Sequence, residues 1–162
     1  MTFVQHSQSL FLLCIALVGI FSAALHAAPL PEGWTLHKGK TLTIGVPPGF
    51  SVDEISASEV DLINEEEQIK FSVFVPTKGA QPKMMEVEVG EKLTEKDSST
   101  KGDTEETQMT MKGKNYIRFV VSLVNSAKDT NVCWGIRVPN MDDYKNTRPT
   151  YVKWKQTLTV LN

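Results

Sequence analysis

Glu65, Glu66 and Glu67 stand in a row between two apolar stretches, in VDLINEEEQIKFSVFV (residues 60–75). Adjacent carboxylates can hold a cation or pass a proton. Acid–base work, however, needs carboxyls kept in different environments so that their pKa values are driven apart. Three neighbours at a hairpin tip share one hydrated setting. They read as a solvated turn whose charge can meet a cationic partner. Asp142-Asp143 raises the same metal question. Just ahead of a C-terminal helical stretch, however, acidic residues serve the positive end of the helix. Asp97, Ser99 and Gly102 fall at the first, third and sixth places of a calcium loop. Lys101 then takes the fifth place and Gln108 the twelfth, where a bidentate Glu is required. A solvated loop is the reading there.

Nucleophilic catalysis fares no better. Past residue 27 only His37 remains to serve as a base, and no G-x-S-x-G turn is present. One His and one Cys far apart in the chain do not make a zinc site, and there is no Gly-rich phosphate loop. Cys133 alternates with Val132 and Trp134, so it reads as a covered, inert thiol rather than a reactive one. Arg118 and Arg137 are expected on neighbouring strands. They either pair with acidic residues of the sheet or offer a basic spot for a partner's carboxylate. No catalytic residue, metal or cofactor is expected, and the chain reads as a non-enzyme.

The ends of the chain set its compartment. The first 27 residues contain no Asp, Glu, Lys or Arg, and SLFLLCIALVGIFSAAL (9–25) is followed by HAAPLPEG. An apolar run ending in small residues is the layout of a secretory signal peptide, and the run is shorter than the ~20 residues a spanning helix needs. Residues 1–27 are therefore read as a signal peptide cut after Ala27, and 28–162 as one domain in the periplasm, with no stable membrane anchoring after cleavage. The net charge of −2 lies wholly in that domain, and so near a balance argues against a nucleic-acid partner. Cys14 leaves with the signal. Cys133 is then the only cysteine, and an internal disulfide is excluded.

The elements that must position these residues follow from periodicity. Leu42, Ile44 and Val46 alternate with Thr41, Thr43 and Gly45 as in a strand, which Pro47-Pro48-Gly49 stops. Residues 59–64 and 69–75 read as a hairpin closed by Glu65 to Gln68. The stretch KMMEVEVGEKLTEK fits both periods; Met85, Val89 and Leu93 at four-residue spacing favour a helix over 82–96. DSSTKGDTEE reads as a polar loop. A strand, a turn at Lys112-Gly113-Lys114 and a second strand with Ile117, Phe119, Val121 and Leu123 on one face come next, and VCWGIRV gives a third. In the tail, Tyr151, Trp154, Leu158 and Leu161 form a helical stripe, with Asn146 or Thr147 as cap and Pro149 in the first turn. The sum is an α+β domain, an antiparallel sheet with helices packed on it.

The order of GKTLTIGVPPGF, VDLINEEEQIKFSVFV, MMEVEVGEKLTEK, KGKNYIRFVVSLV, NVCWGIRVP and YVKWKQTLTVLN resembles the DcrB family of bacterial envelope proteins and, more broadly, the PsbP-like fold. The resemblance spans nearly all of 28–162 and implies an α/β/α sandwich and a non-catalytic protein that binds other proteins. No lipid-bearing cysteine stands at the cleavage region, so tethering does not carry over. The expected function is a soluble periplasmic module that docks on another envelope protein. It would act as an immunity-type inhibitor of a toxin directed at the cell envelope or, alternatively, as an assembly or stability factor for an envelope or secretion complex. The residues expected to meet the partner are Glu65, Glu66, Glu67, Arg118, Arg137, Asp142 and Asp143.

Overall fold

The structure is a computed structural model and describes residues 29–75 and 82–161. The signal segment expected over 1–27 lies outside the described residues. Among them, no helix is long and apolar enough to cross a membrane.

The hairpin read from alternation is the centre of the molecule. β4 (Glu59–Asn64) and β5 (Ile69–Phe74) pair with Val60 opposite Val73 and Leu62 opposite Phe71, so their apolar positions share a face. β9 (Thr130–Val138) joins β5, with Ile136 opposite Phe71 and Trp134 opposite Val73. β8 (Ile117–Asn125), β7 (Thr104–Lys112) and β6 (Lys92–Lys101) continue outwards on that side, and β3 (Ser51–Ser56) closes the other edge. The result is one antiparallel seven-stranded sheet, β3-β4-β5-β9-β8-β7-β6.

One face of it carries the main core. The helix α1 (Met141–Lys155) lays Tyr151 and Trp154 on Phe71 and Trp134, with ring centroids 5.1–5.4 Å apart. A small sheet of β1 (Thr35–Lys38), β2 (Leu42–Val46) and β10 (Thr159–Val160), ordered β1-β2-β10, adds Leu42, Ile44 and Val46 to the same core. Gly45 permits that closure. A Cβ there would stand 2.8 Å from Leu30 Cδ1 and 3.1 Å from Trp34, while its N–H donates to Thr157 Oγ1 at 2.8 Å.

The α/β/α sandwich does not form. About 52% of the described residues are strand and 14% helix, with a single α-helix on one side. The helix expected over 82–96 is a three-residue 3-10 turn, Lys83–Met85, followed by β6. Gly90, at φ +87°, breaks the helical path, and the free edge of β7 then offers residues 92–101 a full ladder. The polar loop expected over 97–106 is the tip of that β6–β7 hairpin, turning at Gly102 with φ +58°. The last helix begins earlier than its stripe suggested. Asn140 is the cap, its Oδ1 accepting from the N–H groups of Asp142 and Asp143 at 2.9 and 3.0 Å, and Pro149 lies in the interior. Leu158 and Leu161 fall beyond its end, because the chain leaves at Gln156 to pair β10 with β2.

Candidate functional site

Among the described residues, the face of the seven-stranded sheet away from α1 has no α-helix over it. It is partly covered by residues 82–91, which run across it as a strap. Arg118 holds the strap. Its side chain is 4% exposed, its Nε donates to Glu91 Oε1 at 2.8 Å, and its Nη2 donates to Glu91 Oε2 and to the Glu86 carbonyl. Its Nη1 donates to the Met84 carbonyl. Burial alone would push Glu91 up, but the bonds from Arg118 and from the Glu88 N–H outweigh it and hold the carboxyl below its usual range. Met84 of the strap packs with Phe74, Met109, Met111, Val120 and Cys133 in a small second core. Burial pushes the Cys133 thiol up to about 11. A thiol that stays protonated at neutral pH is a poor nucleophile.

Beside the strap the same face opens into a cleft of about 310 Å³. Its floor is Ser72 and Gly135, and its walls carry Lys70, Arg137, Glu59 and Asp61. Lys70 Nζ donates to Asp61 Oδ2 at 2.8 Å. Glu59 is 6% exposed; burial, reinforced by the Asp61 charge, raises its pKa, although it accepts the Lys83 backbone N–H. Arg137 is half-buried, with its guanidinium 4.9 Å from the centroid of the Tyr116 ring.

A second depression, about 740 Å³, lies on the helix side, between the β4–β5 tip and the first turns of α1. Trp34, Phe50, Pro31, Pro47 and Pro48 give it apolar walls, and Glu32, Glu67 and Asp143 place three carboxylates there against one cation, Lys153. Asn64 orients Glu67: its Oδ1 accepts the Glu67 N–H at 3.0 Å and its Nδ2 donates to Glu67 Oε2 at 3.3 Å. Asn140 Nδ2 holds Asp143 Oδ2 at 2.7 Å.

The expected site residues thus divide among three places. Glu65 and Glu66 are exposed in the β4–β5 turn, which Gln68 closes at φ 55°. Glu67 and Asp143 come together around the groove, whereas Asp142 points away and pairs with Lys145 at 2.9 Å. Arg118 and Arg137 face each other across β8 and β9, yet Arg118 is consumed by Glu91. Trp34, Phe50 and Glu32 are not singled out by sequence; Pro47-Pro48-Gly49 marks only the turn ahead of Phe50, whose partly buried ring packs on Phe71 at 4.7 Å. His37 lies on β1 with Nε2 3.0 Å from Glu54 Oε1. No group of three or more His, Cys, Asp or Glu that could hold a metal occurs among the described residues.

No family model matches the sequence, DcrB included, and no curated protein matches it. Among solved structures the chain is similar to cyanobacterial PsbP (CyanoP) from Synechocystis sp. PCC 6803, with 8% identity, a TM-score of 0.47, and 78% of this chain and 92% of that one covered. It is also similar to the Ran-binding protein Mog1p of Saccharomyces cerevisiae, with 13% identity, a TM-score of 0.42 and 75% and 91% covered. A mutant of Mog1 gives 13%, 0.44, 80% and 96%. At these values the likeness brings no family, site or activity with it.

Proposed function

We propose that the chain is a non-catalytic envelope protein, exported to the periplasm, that works by docking on another protein through the groove between the β4–β5 tip and α1. The occupant is an extended, cationic segment of the partner. One observation carries this reading: among the described residues, aromatic and proline walls are rimmed by Glu32, Glu67 and Asp143 against the single cation Lys153. Apolar, rigid walls of this kind suit an extended chain that forms few internal hydrogen bonds. The surplus of carboxylates selects a basic one and speeds its encounter. The motif resemblance to DcrB-type envelope proteins, which act by binding other proteins, supports the same reading. The concrete form is an immunity-type inhibitor whose groove meets a basic segment of a toxin directed at the envelope; an assembly factor is the alternative.

Affinity capture from envelope extract with the wild type and with Glu32→Lys/Glu67→Lys tests it. Both substitutions are at exposed residues outside the core. The reading expects a protein retained by the wild type at low salt and lost with the reversed charges. A toxin as that protein supports inhibition, and a subunit of an envelope complex supports assembly. Equal retention by both versions overturns the groove as the docking site.

A further inference from the structure

Lys70, Arg137 and Arg118 occupy consecutive positions of one row across β5, β9 and β8: Lys70 is opposite Arg137, and Arg137 is opposite Arg118. Directly opposed residues of antiparallel strands are ~4.5–5.5 Å apart at Cα, and like charges so placed repel. Both outer members of the row are neutralised, Lys70 by Asp61 and Arg118 by Glu91. The central member is not. Among the described residues Arg137 has no carboxylate partner; what it meets is the face of Tyr116. It lines the cleft, and the floor beside it has been kept low. A Cβ at Gly135, two residues back on the same strand face, would stand 3.2 Å from Ser72 Cβ and 3.7 Å from Met84 Sδ. The rim carries apolar groups, Ile55 at 42% and Val87 at 47% exposure.

We propose that Arg137 is the receptor for a carboxylate on a partner protein, an acidic side chain flanked by aliphatic residues that rest on Ile55 and Val87. A guanidinium with its fork free takes a carboxylate through two parallel hydrogen bonds, and the incoming charge would relieve the repulsion within the row. Phosphate is disfavoured, because a dianion would meet Glu59, Asp61, Glu86 and Glu88 around the same cleft. This site offers a cation where the groove offers carboxylates, lies on the other face of the sheet, and stands or falls separately from it.

The test is titration of the intact protein with an acetylated, amidated Ser-Val-Glu-Val-Ser peptide, followed by NMR at the Arg137 side-chain Nε–H and the Ser72 and Gly135 amides. The expected result is a saturable shift at these three positions in the wild type; read at the Ser72 and Gly135 amides, binding is weakened about tenfold or more by Arg137→Gln and partly retained by Arg137→Lys. Thermal unfolding of Arg137→Gln should be unchanged or later, since a repelling charge has gone. Equal binding of the Ser-Val-Gln-Val-Ser peptide overturns the proposal, as does inorganic phosphate shifting the same signals as strongly. An early-unfolding Arg137→Gln also overturns it, by showing that the guanidinium is there to hold Tyr116.

Discussion

On its helix side the seven-stranded sheet buries Phe71, Val73, Trp134 and Ile136 beneath Tyr151 and Trp154; on its other side the same strands present Lys70, Ser72, Gly135 and Arg137, and β8 adds Arg118. The alternation of a strand puts both sets in the same few residues. The first face is closed by area removed from water, a force without direction. The second is closed by direction, since the strap over 82–91 is placed by the particular acceptors that Arg118 reaches, Met84, Glu86 and Glu91. A surface assembled from directed bonds can leave one donor group unanswered, as at Arg137.

That contrast is broken most severely at Trp154. The side chain is fully buried and touches the rings of Phe71, Trp134 and Tyr151. Trp154→Ala should cost about 3–5 kcal/mol, out of a stability that for such domains is roughly 5–15 kcal/mol. Its Nε1 makes no hydrogen bond among the described residues. Trp154→Phe therefore loses area alone and should cost clearly less. Urea midpoints of the two variants measure this, and equal losses would mean that the indole N–H is satisfied after all.

Arg118 tests the other face. Arg118→Met leaves Glu91 without its partner, and breaking a buried pair in this way costs about 3–5 kcal/mol. The lower end is expected, because the strap can lift and let Glu91 reach water. Adding Glu91→Leu should recover much of the loss, as it removes the stranded charge. The pH dependence follows from Glu91, whose carboxyl is held below its usual range in the folded chain. The stability it brings is present above the ordinary carboxylate pKa and is lost as pH falls through the lowered folded value. The wild type should therefore weaken over that acidic window and the double variant much less. Parallel curves would place the pair in water rather than under the strap.

How far the chain could be read in advance follows the same division. β2, the β4–β5 hairpin, β8 and β9 were legible because each carries an apolar alternation bounded by Pro, Gly or charged turns. β3 and β6 were not; every residue in both is exposed, so they are strands because a neighbour's edge offers a ladder, not because of any pattern of their own. The four-residue spacing of Met85, Val89 and Leu93 imitates a helical stripe, but Val89 and Leu93 are exposed and only Met84 of the Lys83–Met85 turn is buried. At the site, the shared face of Arg118 and Arg137 was visible from adjacent strands. Which of them stays free was not, since Glu91 lies 27 residues from Arg118, in the segment whose spacing suggests a helix that does not form. The groove was harder still: Glu32, Phe50, Glu67 and Asp143 come from four separate stretches, and only the fold sets them side by side.

The smallest effect on stability is expected at the opening glutamates, at the tip of the β4–β5 hairpin. Glu65 and Glu66 are exposed, and Glu67 is exposed while its backbone is fastened to Asn64. Glu67→Gln keeps that bond, because the N–H that Asn64 accepts is untouched. Replacing all three by Gln should thus shift the urea midpoint by less than the equivalent of about 0.5 kcal/mol, the usual range for exposed sites. Binding is a different matter, since Glu67 is the groove's link to the tip and like charges beside it strengthen the local field. The triple variant should slow association with the cationic partner, most at low ionic strength, where screening is weakest. A large loss of stability would show the carboxylates to be paired inside the fold. An association rate that is unchanged at every salt concentration would separate the tip from the groove and leave Glu32 and Asp143 as its charge.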